Sequence, residues 1–309
     1  MWNIDLKDMN QNISCYDSII EMLLKSFNYE YQFLKLKNFS LHHFERTKDE
    51  QGVITRGIQN NNIIENVFKM KNSIIIKDNI NNVSEFISDK LKLSPVGLFV
   101  DAYNCPWTLF YNKQHIKHFL LIVTYEENKT YCCLDNYYPQ KGNINLSNNE
   151  IEKILDEVLL FNLNKEEINY EDTVKQFVKE YIKIPNESSF YDEMQDMIEY
   201  VSNLSPADIG TIENINTSFI IIKLKWIAED KLEFISGLKY YEDRYNVLNL
   251  TNVYLVLEKI ANEVNLLKAA LIRYAITHVI SKNKLKNYIT NIYENNYKVC
   301  VELNAIFNK

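Results

Sequence analysis

Three side chains of this sequence are of the types that carry out nucleophilic acyl chemistry, namely Cys15, His118 and Asp135. We expect Cys15 to begin a helix, where backbone N–H groups without intrahelical partners and the helix dipole stabilise a thiolate. A histidine beside such a cysteine can exchange a proton with it, and a carboxylate can orient the imidazole. A cysteine is also a small apolar side chain that is often buried, so the residue types by themselves leave a structural role open.

The helix that would carry Cys15 is well marked in the sequence. Ser14 is a good N-cap residue, and Asp17 follows three residues later, as in a capping box. Apolar side chains then recur at the helical spacing i, i+3, i+4, i+7, at Ile20, Leu23, Leu24 and Phe27. Cys15 is therefore predicted to be the first helical residue.

The other two side chains are predicted to meet on a β-hairpin. Residues 119–125 and 130–134 are rich in β-forming side chains and are separated by a short polar segment. His118 opens the first run, and Asp135 follows the second. In an antiparallel register the two lie on one face, as direct or diagonal neighbours, close enough for the carboxylate to hold the imidazole. A strand-end histidine beside an ordinary turn aspartate is the structural alternative.

The segment between a predicted buried strand, residues 96–100, and the hairpin carries candidates for substrate binding. Asp101 ends that strand and could hold a cationic amine, while Tyr103 and Trp107 could line a substrate channel. His115, three residues before the candidate base, is the fourth candidate. Each also has a simpler structural interpretation: a carboxylate that caps a turn, aromatic side chains that pack, and a loop histidine with a local hydrogen bond.

The chain changes character near residue 146. Ser147 and Glu150 are spaced as a capping box, and apolar residues follow at helical spacing, at Ile154, Leu155, Val158 and Leu159. Helical periodicity continues over residues 170–184, 190–203, 216–234, 250–280 and 284–306. We therefore predict an α+β protein with two domains. A catalytic domain with an antiparallel sheet would cover residues 1–146, and a mostly α-helical domain that binds substrate or carrier would cover residues 147–309.

Together, these segments resemble papain-like cysteine enzymes of the bacteriocin-leader (C39-type) peptidase kind, and more closely the family of butirosin biosynthesis protein H. They are also similar to the papain-like proteins that form amide bonds in closthioamide-type thioamide antibiotic assembly. The resemblance spans about residues 10–146. It rests on the Cys15 helix and on four short segments, 95–101 (Pro-Val-Gly-Leu-Phe-Val-Asp), 103–107 (Tyr-Asn-Cys-Pro-Trp), 115–119 (His-Ile-Lys-His-Phe) and Leu134-Asp135.

The resemblance implies a papain-like fold with Cys15 as nucleophile, His118 as general base and Asp135 as orienting acid. It implies that an acyl group passes from the pantetheine thioester of an acyl or peptidyl carrier protein to the cysteine, and then to a small-molecule amine, during assembly of a secondary metabolite. No cofactor of the protein itself is implied, because the phosphopantetheine belongs to the carrier. The family's oxyanion-hole glutamine would fall at Met9, so Gln11, the nearest glutamine, is the candidate donor.

The overall composition limits other possibilities. The 309 residues carry a net charge of −7 and have a pI near 5.4, which argues against a nucleic-acid binder that depends on phosphate contacts. No apolar stretch approaches membrane-spanning length, the first residues do not resemble a signal peptide, and the five cysteines form no disulfide or metal-ligand pattern. We therefore expect a cytoplasmic protein with no membrane partner and no metal.

Two other classes of function remain open at this point. A cysteine peptidase or thioesterase would use the same three residues with water in place of the amine, and a non-catalytic scaffold would keep the fold only to dock the carrier. Carrier proteins are typically acidic, so docking onto this acidic chain requires a local basic patch. Lys113 and Lys117, which flank the candidate site, are the residues expected to supply it.

Overall fold

The computed structural model describes residues 15–38, 61–126, 130–135, 143–162, 167–246 and 249–307. These residues belong to two compact units. The first unit contains the described residues up to Leu34 and those from residue 61 to Asn169. The second contains the described residues from Tyr170 onward, together with a short segment that begins at Lys35. An antiparallel sheet is combined with many helices, which confirms the predicted α+β class.

Within its described residues, the first unit is built on a six-stranded sheet. Its helices are α1 (Cys15–Ser26), α2 (Asn61–Asn66), α3 (Val83–Leu91) and α4 (Asn148–Ile154). Its strands are β1 (Lys71–Ile76), β2 (Val96–Asp101), β3 (Lys117–Tyr125), β4 (Thr130–Leu134), β5 (Asn143–Ser147) and β6 (Leu155–Asn162). Their spatial order is β1-β6-β2-β3-β4-β5, and each neighbouring pair is antiparallel. The predicted buried strand is β2, and the predicted hairpin is formed by β3 and β4.

The two central strands, β2 and β3, are buried on both faces. On one face the cross-strand pair Leu98 and Leu120 lies in the main apolar core. On the other face α1 packs against β3, and the centroid of the Tyr16 ring lies 5.0 Å from that of Phe119. Gly97 is needed beside this contact, because a Cβ at that position would lie 2.6 Å from the Phe119 ring. The start of α1 is thereby held close to the start of β3.

The largest departure from the sequence-based expectation lies just after residue 146. The capping box forms as predicted, with the Ser147 N–H donating to the Glu150 carboxylate at 2.8 Å, but the helix ends at Ile154 and the chain continues as β6. β6 lies between β1 and β2, and its apolar run over residues 158–161 fits a mostly buried strand as well as it fits a helix. Residues 147–162 therefore complete the sheet, and the first unit extends to Asn169 rather than ending at residue 146.

The second unit is helical. Its helices are α5 (Tyr170–Tyr181), α6 (Glu187–Ser202), α7 (Pro206–Ile209), α8 (Phe219–Tyr245), α9 (Thr251–Thr277) and α10 (Lys282–Phe307). The helical segments predicted for this part of the chain are present, with different ends. α9 packs against both α8 and α10, and its two partners bury their apolar faces on it. Among the described helices, none combines the length and the apolar character that crossing a membrane requires.

Candidate active site

The β3–β4 hairpin brings His118 and Asp135 together. The strand register sets Leu121 opposite Leu134, so Asp135, just past the end of β4, is a diagonal neighbour of His118. His118 Nε2 lies 2.9 Å from Asp135 Oδ2, and the two residues are 1% and 0% exposed. The pairing predicted from the hairpin pattern is therefore present, and it is shielded from water.

Cys15 lies at the start of α1, as the helix pattern predicted. The contact between Tyr16 and Phe119 brings the residues that precede them in sequence, Cys15 and His118, to the same end of the sheet. Cys15 is close enough for its charge and its hydrogen bonding to act on the His118 imidazole. Its side chain is partly exposed, whereas the other four cysteines are buried. Cys15 is thus more exposed to solvent than His118, which is 1% exposed.

The electrostatics of the site favour a charged imidazole. Burial lowers the pKa of His118, but the charge of Asp135, the charge of Cys15 and the hydrogen bonds to both outweigh burial and raise the pKa to about 10. At neutral pH His118 is therefore an imidazolium. Because Asp135 bonds to Nε2, the ring nitrogen left to exchange a proton with Cys15 is Nδ1. A charged imidazole in this position can exchange a proton with the cysteine.

The other cysteines are in environments that suppress the thiolate. Burial is the largest effect on Cys105 and Cys300, and it raises the pKa of each thiol to about 12. Burial also raises the pKa of Cys132 and Cys133. Since the thiolate is the reactive form, none of these four is placed to act as a nucleophile.

Trp107 contacts the histidine–aspartate pair through its indole N–H. Its indole Nε1–H donates a 2.6 Å hydrogen bond to Asp135 Oδ2, the oxygen that also contacts His118. The Trp107 ring is partly buried and packs against the main apolar core. Sequence reasoning missed this bond because Trp107 and Asp135 are 28 positions apart and no local pattern links them.

Asp101, Tyr103 and His115 form a second polar cluster at the end of β2. Asp101 Oδ2 lies 2.5 Å from His115 Nδ1, and Asp101 Oδ1 accepts the Tyr103 N–H at 3.0 Å. The rings of Tyr103 and His115 stack with their centroids 4.3 Å apart, and the His115 side chain is 53% exposed. The cluster directly follows Val100, the residue opposite His118 in the sheet. Asp101 also caps a 3₁₀ turn, so the structural role considered for it is present too.

One acidic residue near this cluster gave no signal in the sequence. Asp156 stands at a β-bulge in β6, between the residues that pair with Phe99 and Val100. The residue is exposed as a whole, but its carboxyl group is partly desolvated, and this together with the charge of Asp101 raises its pKa to about 6 despite the opposing effect of Lys117. A bulge depends on the strands that pair around it, so a local sequence pattern does not reveal it.

The two lysines expected to dock a carrier differ in their surroundings. Lys117 Nζ lies 2.7 Å from Glu157 Oε2 and sits over the Phe99 ring, 4.7 Å from its centroid. Its charge is therefore balanced within the first unit. Lys113 is exposed in the loop that precedes β3. Of the two, Lys113 is the one that presents its charge to solvent.

Gln11, the expected oxyanion donor, and Ser14, the expected N-cap, lie outside the described residues. In the part of the chain that the structure describes, no group of three or more His, Cys, Asp or Glu side chains is placed to hold a metal ion. No protein-family model matches the sequence, and no curated protein matches it either. What the site can do therefore follows from its own residues, a partly exposed cysteine beside a buried and charged histidine–aspartate pair.

Proposed function

We propose that this protein is a papain-like cysteine acyltransferase, which moves an acyl group from the pantetheine thioester of a carrier protein onto an amine. The observation that carries the proposal is the partly exposed Cys15 beside the buried His118–Asp135 pair. A cysteine paired with an imidazolium is a nucleophile at neutral pH, and a thioester is a substrate that a thiolate attacks readily. The family resemblance of residues 95–107, 115–119 and 134–135 supports the same activity.

In the first half-reaction, the Cys15 thiolate attacks the carbonyl carbon of the carrier-bound thioester. A bond forms between Cys15 Sγ and that carbon, and the bond from the carbon to the pantetheine sulfur breaks. The departing sulfur takes the proton held by the His118 imidazolium. The backbone N–H of Cys15, at the start of α1, is the proposed donor to the transient oxyanion. The products are acyl-Cys15, neutral His118 and a free thiol on the carrier.

In the second half-reaction, an amine attacks the acyl-Cys15 carbonyl. The carbon–nitrogen bond forms, neutral His118 accepts a proton from the nitrogen, and the carbon–sulfur bond to Cys15 breaks. The cysteine leaves as a thiolate beside the imidazolium, so the starting state is regenerated and an amide is released. Asp135 stays ionised throughout, because its role is to orient the ring and to stabilise its charged form.

The Asp101 cluster supports an amine as the acceptor. A carboxylate that is mostly buried, flanked by Tyr103 and the half-exposed His115, can bind an ammonium group through a charge-assisted hydrogen bond. Because Cys15 is partly exposed, water can also reach the acyl-enzyme, and a thioesterase or peptidase is therefore the second candidate. The two differ in what captures the same intermediate.

The proposed partner is an acidic acyl or peptidyl carrier protein, docked with the help of the exposed Lys113. The carrier brings the phosphopantetheine, so the protein needs no cofactor of its own. The proposed setting is the cytoplasm, where five free thiols stay reduced, during assembly of a secondary metabolite.

The test is intact-protein mass spectrometry after incubation with an acyl-pantetheine thioester, with and without a diamine. Wild-type protein should gain the mass of one acyl group and lose it when the diamine is added, with amide as the product. Cys15→Ala should gain nothing. Cys300→Ala, which removes a buried thiol in the second unit, is the matched control and should behave as wild type.

Two other outcomes of this experiment would indicate a hydrolase or a docking scaffold instead, and a third would contradict the choice of nucleophile. Release of free acid at the same rate with and without the diamine would make the protein a hydrolase. If wild-type protein formed no acyl adduct with any thioester but still bound the carrier, the protein would be a docking scaffold. An adduct that persists in Cys15→Ala would contradict the proposed nucleophile.

A further inference from the structure

The Asp135 carboxylate is held by two donors at one oxygen atom. Trp107 Nε1 lies 2.6 Å from Asp135 Oδ2, and His118 Nε2 lies 2.9 Å from the same atom. Asp135 itself is 0% exposed, so water does not take over either of these bonds. A carboxylate in this position rotates less freely than one held by a single donor, because both bonds must be kept by the same rotamer.

We infer that Trp107 is a positioning residue, whose indole N–H fixes the Asp135 carboxylate and through it the orientation of the His118 imidazole toward Cys15. This inference rests on the proposed function for its biological meaning, since it assigns Trp107 to the protonation chemistry of the site. The role in a substrate channel that the sequence suggested for Trp107 is separate from this one and stays a prediction.

The loop that carries Trp107 is itself held in place. Thr108 Oγ1 donates to the Ala102 carbonyl oxygen at 2.9 Å, and the Cys105 N–H donates to the same carbonyl at 3.2 Å. The Ala102 N–H in turn donates to the carbonyl of Ile116, one residue before β3, at 2.9 Å. The loop is thus tied to the residues just after β2 and just before β3, and His118 is the second residue of β3. These hydrogen bonds therefore hold the loop, and with it the Trp107 indole N–H, in a fixed position.

Among the described residues, the thiols of Cys105 and Cys133 are two more titratable groups on which the charge of Asp135 acts. The Cys105 thiol, on the same loop, has its pKa raised to about 12, mainly by burial and then by the charge of Asp135. Burial likewise raises the pKa of Cys133, on β4, with smaller effects from Cys132 and Asp135. Both thiols therefore stay neutral at working pH. Neither thiol therefore adds a charge beside Asp135.

The test uses a reagent that needs no substrate channel. The second-order rate of Cys15 alkylation by iodoacetamide is measured from pH 5 to pH 9 in wild type and in Trp107→Phe, with Trp226→Phe, the same change in α8 of the second unit, as the matched control. We expect Trp107→Phe to alkylate about tenfold more slowly at pH 6.5 and to show an altered pH profile, because one charge-assisted bond to Asp135 is lost. Trp226→Phe should follow the wild-type profile.

A double-mutant cycle tests whether the effect passes through Asp135. In an Asp135→Ala background, Trp107→Phe should change the alkylation rate less than twofold, since the carboxylate that it positions is gone. Replacing the Trp107 indole by the isosteric benzothiophene, which lacks only the N–H donor, keeps the packing and should reproduce the loss seen in Trp107→Phe. This second variant keeps the test decisive if phenylalanine leaves a gap that disturbs the fold.

The inference is overturned if the benzothiophene variant alkylates with the wild-type rate and pH profile, or if Trp107→Phe raises KM for the acyl donor while leaving alkylation unchanged. The second result would leave Trp107 with a role in the substrate channel only. Alkylation of Cys15 requires no acyl transfer, so the failure of the acyltransferase proposal and the failure of this inference give different results. A hydrolase or an acyltransferase would depend on Trp107 in the same way.

Discussion

Replacing Asp135 by asparagine removes the charge that keeps His118 protonated while leaving a side chain of nearly the same size. In the intact site burial lowers the pKa of His118, but Asp135 and Cys15 raise it to about 10. Without the Asp135 charge, burial dominates, so we expect the pKa of His118 to fall below its ordinary value of about 6.5. The comparison is best made in Cys15→Ala protein, where the histidine–aspartate pair is measured without the thiol.

The magnitude follows from the pKa difference. Each pKa unit corresponds to about 1.4 kcal/mol, so a fall from about 10 to about 6.5 corresponds to about 5 kcal/mol in the intact site. This agrees with the ~3–5 kcal/mol that removal of one partner from a buried ion pair typically costs. In the Cys15→Ala protein, Cys15 no longer contributes to the His118 pKa shift. We therefore expect Asp135 to contribute about 3 kcal/mol to the free energy of unfolding of that protein.

The direction of the His118 pKa shift determines the pH range in which Asp135→Asn lowers the free energy of unfolding. The pKa of His118 is higher in the folded protein than the unfolded value of about 6.5. Its stabilisation is therefore complete below pH 6.5 and disappears as the pH rises through the folded pKa. The difference in unfolding free energy between Cys15→Ala and Cys15→Ala/Asp135→Asn should accordingly be about 3 kcal/mol larger at pH 6 than at pH 10.

The assay is urea unfolding of both proteins at pH 6 and pH 10, supported by an NMR titration of the His118 imidazole. Asp89→Asn is the control, because Asp89 is exposed and pairs with Lys92 on the surface, and its effect should be the same at both pH values. Equal losses for Asp135→Asn at pH 6 and pH 10 would refute the reasoning, since they would mean that His118 is not charged in the folded protein.

Three further predictions concern the proposed amine acceptor, the proposed carrier protein and the sheet. Asp101→Asn should raise KM for a diamine about tenfold and leave acyl-Cys15 formation unchanged, measured by steady-state and single-turnover kinetics. Lys113→Gln should lower kcat/KM for a carrier-borne donor about threefold, and the loss should be larger at low salt than at high salt. Lys117→Gln should change kcat/KM less than twofold, because the Lys117 ammonium group is already paired with Glu157. Gly97→Ala should cost about 1–3 kcal/mol in urea unfolding, because its Cβ would meet the Phe119 ring at 2.6 Å; an unchanged midpoint would show that the ring moves freely.

The parts of the site that the sequence predicted are those fixed by local patterns. Helical spacing after Cys15 predicted α1, and two β-forming runs predicted the hairpin that joins His118 to Asp135. A period of two residues along each strand decides which side chains share a face, so a hairpin with a short connection limits the possible partners to a few. The pairing of His118 with Asp135 could therefore be predicted without knowledge of the rest of the sheet.

The parts that the sequence did not predict depend on contacts between distant segments. β6 was expected to be helix because Ile154, Leu155, Val158 and Leu159 recur at helical spacing, and only pairing with β1 and β2 makes it a strand. The same pairing creates the bulge at Asp156. The bond from Trp107 to Asp135 likewise requires the loop after β2 to reach the end of β4, two strands away. Such contacts come from tertiary packing and leave no signature in a window of neighbouring residues.

Some residues of the site are buried and others are exposed. We expect the buried residues to control the reactivity of the cysteine and the exposed ones to control substrate selectivity. His118 and Asp135 are enclosed, so a change in their hydrogen bonds alters the protonation of the site for every substrate. Cys15 and His115 are in contact with solvent, where water screens charges and where an incoming molecule makes its first contacts. An Asp101 variant should therefore change which amine reacts while Cys15 alkylation stays the same. A Trp107 variant should change Cys15 alkylation and slow all acceptors by the same factor. If both variants changed acceptor preference alone, the buried pair would not control the reactivity of the cysteine.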